Sequence, residues 1–129
     1  MNPSTKIRWG LALLGGFLAE VGIFAVMPVA LRFGDQAPLY VIPPTCVVMT
    51  FVFAFWVGRR AGSRFVLHGT LVGVVAALIY IGLTVGQTLP LAYVVSHFLK
   101  VLGGMAGGFA AGRQFKRGAV TDVERAQVV

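Results

Sequence analysis

The sequence predicts an all-α integral membrane protein: a four-transmembrane-helix antiparallel bundle with both termini on the cytoplasmic side. Three observations carry this. The 129-residue chain is 57% hydrophobic and only 12% charged, with a mean hydropathy of +0.85, too little polar surface for a soluble domain of this size. Four segments have about the 20 mainly apolar residues needed to cross the hydrocarbon core. Basic residues crowd alternate loops, as short cytoplasmic loops do.

The first segment is Trp9–Leu31. Lys6 and Arg8 before it imitate a signal peptide, but the run exceeds an h-region of about 7–15 residues, and Leu18-Ala19-Glu20-Val21 is a poor cleavage site. It reads as a retained span. Arg32 to Pro38 then form a turn. The second segment, Leu39–Val57, carries Phe51, Phe53, Phe55 and Trp56 and has no glycine before Gly58. It is expected to be the most lipid-exposed helix, with Trp56 at the cytoplasmic interface. Pro43 and Pro44 fall in its first turns, where missing amides cost least.

Gly58-Arg59-Arg60-Ala61-Gly62-Ser63-Arg64 is a basic loop, and Phe65–Gly86 is the third segment. Gln87-Thr88 before Pro90 makes a tight connection to the fourth, Leu89–Gly112. The spans and their loops form one domain over residues 1–117. Residues 118–129 are expected as a short polar cytoplasmic tail. Thr121-Asp122-Val123-Glu124 resembles a capping box, but a frayed end is the preferred reading.

Lys6, Arg8, Arg59, Arg60, Arg64, Arg113, Lys116, Arg117 and Arg125 all fall on one side of this layout, and only Arg32 falls on the other, next to Asp35. The bias accounts for most of the net charge of +7, so a nucleic-acid partner is not needed to explain it. Arg59, Arg60, Arg64, Arg113, Lys116 and Arg117 are candidates for contact with anionic lipid head groups. A bacterial plasma membrane suits the compact layout and the charge bias.

Helices in lipid associate through close packing at small residues and through polar contacts. The 17 glycines therefore mark packing faces. Gly104, Gly108 and Gly112 recur at four-residue spacing, Gly69 and Gly73 do so in the third span, and Gly16 lies one turn from Glu20 in the first. These faces either close a monomer or mediate a homo-oligomer or a larger membrane complex.

Glu20 and Lys100 are opposite charges near the centres of the first and fourth spans. A lone charge at that depth costs about 2.5–3.5 kcal/mol on insertion scales, so the two are expected to meet. His97 lies one turn from Lys100. Tyr93, His97, Lys100, Gly104, Gly107 and Ala111 read as one stripe, to which Tyr80, Thr84, Thr45 and Thr50 are candidate additions. The Glu20, His97 and Lys100 cluster is either a structural salt bridge that fixes helix register or a protonatable site for ion coupling. His68, near the cytoplasmic end of the third span, reads as an interfacial histidine. Two separated histidines and one glutamate make no credible metal site. No catalytic set or cofactor motif is visible, and the single Cys46 reads as a small buried hydrophobe.

Leu18-Ala19-Glu20-Val21 resembles the first span of small multidrug resistance transporters, which have four short spans and a membrane-embedded glutamate in the first. The resemblance covers about one helix. The third span here has no tryptophan, unlike the family's, and Lys100 would neutralise the glutamate. Two functional readings follow. One is a non-enzymatic subunit, assembly factor or regulator acting through helix contacts. The alternative, which the resemblance supports, is a small proton- or ion-coupled transporter or channel, working as a homodimer.

Overall fold

The computed structural model describes residues 6–128, so residues 1–5 of the expected domain and residue 129 of the expected tail lie outside the described residues. Among the described residues the regular structure is all helical, with α1 at Trp9–Leu31, α2 at Ala37–Ala61, α3 at Phe65–Leu83 and α4 at Leu91–Val128. All four are long and apolar enough to cross a membrane, as in a multi-pass membrane protein. Leu13, Phe17, Val48, Val52, Leu78, Phe98 and Leu102 are exposed on their outer faces, where an apolar solvent would meet them.

The first helix has the bounds the sequence predicts. The others differ at their ends. Helix α2 gains a turn at its C-terminus and stops at Gly62, whose φ of 71° is the left-handed cap that glycine adopts without a Cβ penalty. Helix α3 stops at Leu83, and Gly86 turns the chain with a φ of 82°. The link to α4 therefore runs from Thr84 to Pro90, longer than the tight connection expected.

The largest difference is at the C-terminus. Where a frayed polar tail is expected, α4 continues unbroken to Val128. Thr121 does not cap a new helix; its hydroxyl donates back to the Arg117 carbonyl at 3.0 Å, within the same helix. Thirty-eight residues make a rod of about 57 Å, nearly twice the roughly 30 Å of hydrocarbon. Only part of α4 belongs to the spanning layer.

Helix α4 packs on both α2 and α3, and α1 packs on those same two helices from the other side. No Cα atom of α1 lies within 8 Å of one in α4. They occupy opposite corners, with α2 and α3 between them.

Glycine explains the closeness of α4 to its neighbours. A Cβ on Gly69 would fall on the Gly104 carbonyl, one on Gly73 on the Lys100 carbonyl, and one on Gly108 on the Phe65 carbonyl. Gly112 lies against the Phe65 ring. The α3–α4 seam is thus nearly backbone on backbone. The next glycines round the helix serve the other side: Gly103 meets Thr50 and Val47, Gly107 meets Phe51 and Ala54, and Ala111 meets Gly58. The single stripe expected on α4 is therefore two stripes, one for each neighbour. Gly16 of α1 packs on Val72 and Val75 of α3.

The same seam corrects the expectation for α2. It is no more exposed than α1 or α3; 33% of its apolar stretch is buried, as in both of those helices. Ile42, Cys46, Thr50, Ala54 and Gly58 form its buried stripe. Small residues on both helices allow the close approach, with Gly103, Gly107 and Ala111 of α4 set against Thr50, Ala54 and Gly58 of α2.

Candidate functional site

Lys100 is anchored in the close α3–α4 seam, beside Gly73. Its side chain leaves that seam and crosses the interior to α1. Nζ donates to both Glu20 oxygens, at 2.8 and 3.0 Å. Lys100 is 1% exposed and Glu20 2% exposed, so the pair is sealed. Helices whose Cα atoms stay more than 8 Å apart are joined by two side chains reaching from opposite corners. Along α1, Glu20 lies between Leu11, which packs on the Ala54, Val57 and Val72 cluster, and Ile23, which belongs to the cluster with Ile42 and Cys46.

Tyr80 of α3 completes the surroundings. Its ring lies 4.7 Å from Lys100 Nζ, close enough for the negative face to attract the ammonium. Phe24 and Tyr93 both stack with Tyr80, with centroids 6.0 and 6.3 Å away. His97 also packs on Tyr80, at 5.2 Å and tilted by 53°. It makes no hydrogen bond to Glu20 or Lys100, and its Nδ1 is buried without a hydrogen-bond partner. His97 is therefore beside the charge pair with Tyr80 as the shared neighbour.

The threonines stay out of the site. Thr45, Thr50 and Thr84 each donate to the carbonyl four residues back on their own helix, at 2.7, 2.7 and 2.9 Å. This back-bonding satisfies a hydroxyl where water is absent.

His68 is not the interfacial side chain expected; it is fully buried. Its Nε2 accepts the Arg8 backbone N–H at 3.0 Å, so the ring proton sits on Nδ1, which donates to the Arg64 carbonyl at 3.1 Å. The Arg8 guanidinium meanwhile donates to the Arg60 carbonyl at 3.2 Å. The start of α1, the end of α2 and the start of α3 are tied together there. Composition gives no sign of this, because every partner is a backbone atom.

Among the described residues no three His, Cys, Asp or Glu side chains gather as metal ligands. Comparison of the chain with protein-family models, with curated proteins and with solved structures finds no match.

Proposed function

We propose that this chain is a small non-enzymatic polytopic membrane protein that works through helix–helix contacts, as a subunit, assembly factor or regulator of a membrane complex. It sits as an antiparallel bundle in a bacterial plasma membrane, with both termini cytoplasmic, as the distribution of Lys and Arg favours. The observation that carries the reading is the sealed Glu20–Lys100 pair. A carboxylate held by an ammonium through both oxygens is neutralised in place, and a pair of this kind serves as a register pin between helices.

The glycine faces of α4 are engaged within the chain. A homo-oligomer or a larger complex would therefore form through the outer apolar faces or the α4 extension.

The test is a thermal-melting cycle in mild detergent with Glu20→Gln, Lys100→Met and the double variant. Each single change is expected to destabilise, and the double variant to recover most of the loss. Single variants as stable as the parent would mean that the charges are already hydrated, and the reading would fall.

His97 favours a second reading. Its unpartnered Nδ1 beside Tyr80 and Lys100 suits a proton- or ion-coupled transporter or channel that uses Glu20, His97 and Lys100, formed as a homodimer. That reading expects ion flux in liposomes, abolished by His97→Phe. A tight bilayer with the parent protein present would exclude it.

A further inference from the structure

The six cations that the sequence offers to lipid do not share one surface. Arg59 lies over the Phe55 ring at 5.9 Å and Arg60 over the Trp56 ring at 5.1 Å, both at the end of α2. Arg117 lies further along the α4 extension, beside Val120 and Thr121 in a depression that Lys116 also borders. Arg64, Arg113 and Lys116 instead rim one groove of about 500 Å³ between the start of α3 and α4.

The walls of that groove are Phe65, Val66, Leu67 and Phe109, with Gly112 between them. The floor is open because Gly112 has no side chain; a Cβ there would come within 3.1 Å of the Phe65 ring. Arg113 is held at the rim, its guanidinium 4.7 Å from the Phe109 ring. Among the described residues no acidic group lies within 4.0 Å of any of the three cations as an ion-pair partner, and none lines the groove. No side chain caps the start of α3, which opens here, so the positive end of that helix adds to the field.

We infer that this groove is a binding site for one anionic phospholipid. The phosphate sits among Arg64, Arg113 and Lys116, and an acyl chain lies along Phe65, Leu67 and Phe109. The occupant follows from the combination. An apolar wall alone would take any lipid, and three unpaired cations alone would take any anion. A phospholipid with a net negative head group satisfies both, and these residues lie where the spanning layer gives way to the basic side. That side faces the anionic leaflet in a cytoplasmic orientation. The inference rests on placement in a bilayer and not on the helix-contact role, so it stands or falls apart from the Glu20–Lys100 cycle.

The experiment measures lipid retained by the full chain in native mass spectrometry, after extraction from vesicles of equal phosphatidylglycerol and phosphatidylcholine. The parent is expected to retain phosphatidylglycerol in preference, and Arg113→Gln/Lys116→Gln to bring the preference to parity. Arg117→Gln/Arg125→Gln removes the same charge outside the groove and is expected to keep the preference. Arg64→Gln, on the opposite wall, is expected to weaken it without touching the α4 extension. Glycerol phosphate, which lacks the acyl chains, is expected not to compete. No preference in the parent, equal loss in the control pair, full retention in Arg64→Gln, or displacement by glycerol phosphate would each overturn the assignment.

Discussion

Two buried polar sites are satisfied in contrasting ways. Glu20 and Lys100 are charged, lie 80 residues apart in sequence and satisfy one another. His68 is a ring whose two nitrogens bond only to the backbone, of Arg8 and Arg64. The first site joins helices whose backbones lie at opposite corners of the bundle. The second ties together helix ends that are already close. A charge pair is costly to desolvate and unforgiving when halved, whereas a histidine bridging amides and carbonyls fills hydrogen-bonding gaps that helix ends leave open. Reach is gained at the first site by accepting vulnerability, and security at the second by staying local.

The comparison breaks most visibly at Lys100. Lys100→Met leaves Glu20 buried without a partner, and a loss of about 3–5 kcal/mol is expected, read as a fall in melting temperature that Glu20→Gln reverses in the same chain. Next comes the seam that positions Lys100. Gly69→Ala drives a Cβ onto the Gly104 carbonyl, where neither backbone can yield, and about 1–3 kcal/mol of overpacking follows. Gly22→Ala is the control. Its Cβ meets only the flexible Met49 thioether, at 3.0 Å, and its melting temperature should stay close to the parent's.

His68→Phe keeps an aromatic ring, though a larger one, but strands the Arg8 amide, at about 1–3 kcal/mol. The His68 site shares no partner with the charge pair, so its effect should add to that of Lys100→Met in the double variant. A non-additive result would mean that the two sites form one network. The smallest effect is expected at Gly118, which has open space around it in the middle of the α4 extension. Gly118→Ala should raise local helix stability by about 0.8–1 kcal/mol, seen as slower amide exchange in the extension with melting of the spanning part unchanged.

What the sequence reveals follows from where the physical signal lies. The four helices are legible because each needs a long apolar run, and the bounds of α1 are marked by Arg8 and Arg32. The meeting of Glu20 with Lys100 is legible because a charge in an apolar run is costly enough to demand a partner. The His68 tie is hidden because amides and carbonyls carry no residue identity. The burial of α2 is hidden because its aromatic residues dominate its composition, while its buried stripe of Cys46, Thr50, Ala54 and Gly58 is spread one residue per turn. The continuation of α4 is masked by Gly118 and by the change from apolar to polar residues at Arg113. Polarity marks the end of a membrane span, which need not be the end of a helix.

The 80-residue separation of Glu20 and Lys100 also has a consequence in time. A ribosome adding about 5–20 residues per second delivers Glu20 roughly 4–16 s before Lys100. During that interval the first helix holds a carboxylate whose partner has not been made. Biogenesis of this protein must therefore pass through a stage in which Glu20 is protonated, kept near water or sheltered by the insertion machinery. The arrival of the last helix is the step that closes the fold.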